Sequence, residues 1–366
     1  MVKQGSKQQF QTAATNPGLT FGEYAHLVIA TQYHAIAQQI TAVIADKDPE
    51  NLHQMRVGTR RLRTALQVFA PAIQLPKAAG ENAIKALAKV LGQLRDLDVQ
   101  LADLTETYRP QLDKTERKLL DGMIRKLRKK RRHAYKAVKK TLEGKRLRSL
   151  KTAYETWLET PQYTAIAQLP LADILPDLLS PLLAELLLHP GWLIPAPAAA
   201  PAAEACLHDL RKACKHVRYQ TEFFVPFYGD SFQRWVKEIK SLQDDLGKLQ
   251  DAHVLNDLLR QHLPKKAKMP TLQAQIQKIR TDLFRDWDSI RGQYLAKTYR
   301  QQLHQMVLDS KAAIALDTAL DQTNGTGMPS ANFNKTPVAT TAIASLENAS
   351  EKNVLSSDRP TPTTAG

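Results

Sequence analysis

Two stretches of the chain, 155 positions apart, carry one pattern. Residues 52–69 read LHQMRVGTRRLRTALQVF and residues 207–224 read LHDLRKACKHVRYQTEFF, with Leu, His, Arg, Arg and Phe in register at 52/207, 53/208, 56/211, 63/218 and 69/224. Leu and Arg are common residues, so this alignment alone decides little. The same shift lays LGQLRDLDV (91–99) over LGKLQDAHV (246–254), and Lys85 over Lys240. Two separated motifs sharing one offset point to an internal duplication. A repeat of this length means two similar subdomains rather than a solenoid.

Each half reads as helices. Helical apolar spacing through Leu27, Ile29, Ile36, Ile40 and Ile44 predicts a helix over 21–45. Asp48 as N-cap, Pro49 at the first helical position and Glu50 in the first turn start the next, which runs to about Ala70. Further helices are expected over 77–108 and 112–157, the latter breaking at Gly144, and in the second half over 171–188, 203–227, 230–262 and 271–308. No window alternates with a strand period. The expected fold is all-α: two antiparallel four-helix bundles related by a pseudo-twofold, the first repeat about 19–160 and the second about 170–310. A Pro/Ala-rich connector occupies 189–204. Residues 1–18 are expected to be a flexible N-terminal tail, and 311–366, rich in Thr, Asn, Ala, Ser and Pro, a disordered one.

The 366 residues suffice for a sizeable core. Charge is the stronger constraint: 51 Lys+Arg against 36 Asp+Glu leaves a formal +15, which attracts polyanions without choosing among them. Cys206 and Cys214 lie eight residues apart on one expected helix. That is roughly 12 Å, beyond disulfide reach, and it suggests a reduced protein. The N-terminal residues have no apolar run of signal-peptide type. The most apolar stretch, 169–188, carries Asp173, Asp177, Glu185 and three prolines, which argues against a membrane span. A cytoplasmic monomer is expected.

At 100° per residue, Leu52, Met55, Leu62, Leu66 and Phe69 fall into one sector, the expected core face. His53, Arg56, Arg60 and Arg63 gather beside them, and His208, Arg211, Lys215 and Arg218 occupy the same angles in the second copy. Solvated helices relieve such repulsion with acids at i+3 or i+4, and both stripes read as lacking that relief. Rows of arginine forks match phosphate oxygens bidentately and can follow an extended string of phosphates. The histidines would add donors that charge as pH falls towards 6.5.

His-x-x-Arg-x-x-x-Arg-Arg-x-Arg, then Leu-Gly-x-x-Arg-Asp-x-Asp-Val, then a degenerate second copy of both, resembles the CHAD domain, the conserved histidine α-helical domain. The resemblance covers about 21–308. It implies two four-helix bundles forming a basic groove or pore that binds inorganic polyphosphate, with a possible address at polyphosphate bodies. By motif it assigns His53, Arg56, Arg60, Arg61 and Arg63 in the first copy, and His208, Arg211, Lys215 and Arg218 in the second. Lys215 and His216 replace Arg60 and Arg61, and Gln250 replaces Arg95. The first copy is therefore expected to contribute more.

Other residues join this surface as expectations. Gly92/Asp96 and Gly247/Asp251 share a helix face, read as a tight helix crossing, with the acids orienting stripe arginines. Lys85, Lys89 and Lys240 would extend the basic surface. Residues 125–151 hold fourteen Lys or Arg and one acid, Glu143; Arg132 among them is a candidate contact, and the rest would steer polyanions. A short phosphate is expected not to span both repeats. Metal binding by the histidines is disfavoured, because arginines surround them and no further ligand sits at helical spacing. No P-loop, nucleophile elbow or Glu-x-Glu-x-Lys motif is present, so no cofactor and no catalysis are expected. Nucleic acid is the main alternative partner, but aromatics are 6% and only Tyr219 sits beside a stripe as a possible reader. A protein-scaffold role is the third reading.

Overall fold

The protein is described from a computed structural model, covering residues 9–16, 18–196, 201–264 and 267–310. The described residues are helical, with no strand beyond two isolated bridges, Thr20 to Pro170 and Ile73 to Tyr163. The first half contains α1 (Phe21–Ala37), α2 (Ile40–Ala45), α3 (Pro49–Val68), α4 (Glu81–Ala102), α5 (Lys114–Leu142) and α6 (Lys145–Glu159). The second contains α7 (Leu171–Leu187), α8 (Pro201–Thr221), α9 (Asp230–His262), α10 (Pro270–Phe284), α11 (Trp287–Leu295) and α12 (Lys297–Leu308).

Local signals set most of these boundaries. Glu50 donates its backbone N–H to Asp48 at 2.8 Å, and Pro49 opens α3 as expected. Thr20 and Glu23 form a capping box on α1. The expected helix over 21–45 is two helices, because the backbone turns at Gln38 and Gln39; α2 then ends at Asp46, whose φ of 49° is left-handed. The helix over 77–108 is also interrupted. A 3-10 turn (Lys77–Ala79) precedes α4, and a π-turn (Asp103–Tyr108) follows it. The break at Gly144 falls where expected. The last expected helix is three, α10 to α12, with Ala296 extended between the final two.

Two expectations about connecting segments are corrected. Within the presumed N-terminal tail, residues 9–14 are helical, and Phe10 stands edge-on to Tyr24 with centroids 6.2 Å apart. An aromatic with a core partner orders its segment. Within the presumed connector, Trp192 is fully buried and stacks on Tyr294 at 4.2 Å. Its indole N–H donates to Leu186 O at 2.7 Å, so Trp192 anchors this stretch to the core, although Pro190 and Leu193 are exposed. Residues 197–200 and the C-terminal segment 311–366 lie outside the described residues.

The five apolar residues assigned to the inward face of α3 are all buried. They pack with α1, where Phe69 meets Phe21 and Tyr24, and with Phe223 and Phe224 at the end of α8. One core therefore crosses the boundary between the halves. A smaller cluster crosses it again: Leu120, Met123, Ile124 and Leu127 of α5 join Leu255 and Leu259 of α9 and Leu272 and Ile276 of α10. The order α3–α4 recurs as α8–α9, each pair in contact, and α3 also touches α8. No helix among the described residues is long and apolar enough to cross a membrane.

Candidate functional site: a basic seam between the two motif helices

Tyr219 is where the two stripes meet. Its ring is buried, with the Arg60 guanidinium of α3 at 4.1 Å on it and the Arg218 guanidinium of α8 at 4.5 Å. Cation–π contact lets an aromatic ring hold guanidinium groups without neutralising them. The residue expected as a base reader is thus buried, with one arginine from each motif helix against its ring.

Lys215 lies in the same cluster. Burial, then the neighbouring charges of Arg211, Arg60, Arg56 and Arg218, push its ammonium down to about 8. Four named arginines from both helices therefore bear on one lysine. Burial, with Arg218 and Arg61 nearby, also holds Arg60 below the usual arginine value despite the opposing effect of Tyr219. Nε of Arg60, Arg211 and Arg218 is buried and has no hydrogen-bond partner. Buried polar groups normally find partners, so these unmet donors on crowded cations mark the cluster as a candidate site.

Acids sit at the edges of this cluster. Arg56 pairs with Asp96 at 3.3 Å and Arg63 with Glu81 at 3.0 Å. Glu222 accepts from Arg61 at 3.1 Å and lies 3.5 Å from Arg218, four residues before it on α8. The stripes thus do have relieving acids: Asp96 and Glu81 reach theirs through tertiary contact, while Glu222 is the i+4 neighbour of Arg218 and also meets Arg61 of the other helix. What remains without an ion pair among the described residues is Arg60, Arg95, Arg211 and Lys215.

Side chains at the shared offset make matching local arrangements. A Cβ on Gly92 would collide with Arg56 Nη1, and one on Gly247 would stand 3.4 Å from Arg211 Nε. The glycines serve a guanidinium laid across each helix, rather than the helix-on-helix crossing expected. His53 faces Arg95 and His208 faces Gln250, again one offset apart. Both histidines are lowered from their usual value, chiefly by burial and then by adjacent cations. The expected protonation step near 6.5 therefore moves lower, and the seam's first titrating cation is the lysine. Both stripes bear on one ring, so cations of the two copies lie close together despite their separation in sequence.

Beside the seam, Asp103 and Asp251 face each other near Arg95. Burial raises both carboxyls, with their mutual repulsion adding to the Asp103 shift and Arg211 and Lys215 opposing the Asp251 shift. Asp103 opens the π-turn after α4, a distortion the sequence pattern did not signal. Among the described residues no group of His, Cys, Asp and Glu could hold a metal ion. Cys206 and Cys214 are free thiols.

The remaining candidates are not drawn into the seam. Lys85 lies by Glu81, Lys89 is exposed without a partner, and Lys240 pairs with Asp244 on its own helix at 3.8 Å. Arg132 is exposed on α5. Its neighbour Arg131 was missed: it grips Asp46 with two bonds of 2.6 Å and Asp98 with one of 2.7 Å, fastening α5 to α2 and α4. His216, in the place of Arg61, turns to Glu185 at 3.0 Å. A cavity of about 900 Å³ between α9 and α10, lined by Leu259, Ile276 and Phe284, stands elsewhere. Its three arginines are each paired, Arg260 to Asp257, Arg280 to Glu204 and Arg285 to Asp282.

These features define an all-helical protein with a cation-lined seam between two helices. The CHAD domain family matches residues 27–260, and the chain belongs to that family. The crystal structure of the CHAD domain from the plant Ricinus communis is similar, with 28% identity, a TM-score of 0.54, and coverage of 77% of this chain and 93% of that one. PptA from Streptomyces chartreusis shares the fold at 16% identity and a TM-score of 0.51, covering 77% and 99%. None of the curated proteins matches this chain.

Proposed function

We propose that the chain binds inorganic polyphosphate without transforming it, along the seam built by α3 and α8. The observation that carries this reading is the convergence of Arg60, Arg211 and Lys215, unpaired with any acid, around the Arg60–Tyr219–Arg218 stack. Family membership supports it, through the polyphosphate binding that the CHAD motifs imply. The architecture goes with it: two four-helix repeats, about 19–160 and 170–310, placing equivalent stripes face to face. Guanidinium groups bind phosphate oxygens by charge-assisted, bidentate bonds and stay charged at all working pH. A cytoplasmic protein associating with polyphosphate bodies is the setting this function suits.

Nucleic acid would use the same charges, but base recognition depends on accessible aromatic faces, and the Tyr219 ring is buried with two guanidinium groups against it. Titration of the full chain with polyphosphate, against single- and double-stranded nucleic acid at equal phosphate concentration and near-physiological salt, tests the choice. Polyphosphate is expected to bind more tightly, to weaken steeply with salt as counterions are released, and to be recovered intact. Binding that persists unchanged in EDTA fits the absence of a bridging metal. Equal or tighter nucleic-acid binding overturns the proposal, and released orthophosphate makes the protein an enzyme.

A further inference from the structure

The seam leaves most of the chain's charge unexplained, and the largest share lies on α5. Arg125, Arg128, Lys129, Arg132, Lys136 and Lys140 are all exposed. Five of them, leaving Arg128 at the flank, fall within about 80° of the helix circumference, and together they span about 22 Å of its length. The ion pairs of α5 involve other cations or its ends: Asp121 with Arg109, Arg131 with Asp46 and Asp98, and Lys139 with Glu143 at 3.9 Å. Asp121, held low first by Arg109, is the acid that also feels Arg125 and Arg128, and it closes one end of the row.

The opposite side of α5 is occupied. Leu120, Met123, Ile124 and Leu127 are in the smaller core cluster, and Arg131 is clasped to Asp98 of α4 and Asp46. The cationic row therefore faces outward, and no contact joins it to Tyr219 or Lys215. A long row of like charges costs repulsion that acids at i+4 would relieve, and from 125 to 140 the sequence offers none.

We propose that the outward face of α5 is a second polyphosphate-binding surface, so that one molecule holds two polymer segments and crosslinks long chains. This rests on the polyphosphate reading of the seam but adds a separate site and a consequence, assembly. A single file of cations on a straight helix matches a linear, evenly charged polymer. Two sites on one rigid body turn each long chain into a multivalent partner.

The test compares the full chain unchanged, a variant carrying Arg125→Gln, Lys129→Gln, Arg132→Gln, Lys136→Gln and Lys140→Gln, and a seam variant carrying Arg60→Gln and Arg211→Gln. Gln keeps a helix propensity close to Lys and Arg, and circular dichroism checks the fold of each. Probes are tripolyphosphate, long-chain polyphosphate and duplex RNA, read by calorimetry and light scattering. The α5 variant is expected to keep tripolyphosphate affinity within about threefold while its scattering with long polymer falls about tenfold. The seam variant is expected to lose tripolyphosphate binding yet retain weak, salt-sensitive attachment to the long polymer. Undiminished crosslinking by the α5 variant overturns the proposal. So does an equal loss of tripolyphosphate affinity in both variants, which would mean one continuous site, or crosslinking by duplex RNA alone. Unchanged protein that fails to bind tripolyphosphate, yet is crosslinked through α5, would sink the seam reading alone.

Discussion

The two motif helices share a pattern and differ in how their charges are used. On α3, Arg56, Arg61 and Arg63 are each engaged by an acid, leaving Arg60 as the unpaired member. On α8, Arg211 and Lys215 are both unpaired, and Arg218 is almost fully buried with Glu222 at 3.5 Å. The arginine-richer helix α3 is thus the more neutralised, and α8 presents more unpaired charge than α3, although Arg95 of α4 adds one unpaired cation to the first copy. Counting basic residues along a sequence misjudges a binding face, because an arginine already bonded to a carboxylate must lose that bond before it meets a phosphate.

Breaking both copies at once gives the largest expected effect. Arg60→Gln with Arg211→Gln removes one unpaired guanidinium from each side. At about 1.5–3 kcal/mol per charged hydrogen bond, polyphosphate affinity should fall about 10²- to 10⁴-fold by calorimetry. A loss under tenfold would place the ligand elsewhere.

Breaking one copy at a time sharpens the comparison. Sequence alone favours the first copy as the main contributor; the contacts weight the second. Arg211→Gln with Lys215→Gln should weaken binding about tenfold more than Arg56→Gln with Arg60→Gln, about 1.4 kcal/mol. The reverse order would restore the first copy to dominance.

The lysine gives the comparison a pH signature. Its pKa near 8 in the ligand-free protein is lowered from 10.5, so the unfolded chain binds more protons between these values. Stability without ligand should rise with pH across that window, and its cost is fully present below pH 8. A polyanion restores the charged form, so binding takes up a proton, and affinity should drop about tenfold from pH 7 to 9. Lys215→Gln should flatten this step. The histidines, lowered below 6.5, should add a step only under that pH; a dominant transition at 6.5 would mean they, not the lysine, govern binding.

The smallest effect concerns the acid shared by both helices. Glu222 is paired with Arg61 and Arg218, so under the proposed function it would compete with the ligand for them. Glu222→Gln should tighten polyphosphate binding about threefold, in keeping with a partly exposed pair. Weaker binding would show that Glu222 positions those arginines rather than occupying them.

The sequence by itself determined the all-helical class, the inward face of α3 and the shared offset between the two motif copies. Helix caps such as Asp48–Pro49 and apolar spacing such as Leu52, Met55, Leu62, Leu66 and Phe69 act over a few residues, so they are written locally. The motif residues were also legible, because one offset links Arg56 to Arg211 and Gly92 to Gly247. What only the tertiary structure decided is which cations are free. Asp96, Glu81 and Glu222 reach their arginines from other helices or across the seam, and Arg131 finds Asp46 from 85 positions away. Tyr219 becomes a buried ring against arginines rather than an exposed reader only when α3 and α8 meet. Charge is additive along a sequence, but pairing and burial depend on distances of a few ångströms that packing alone sets.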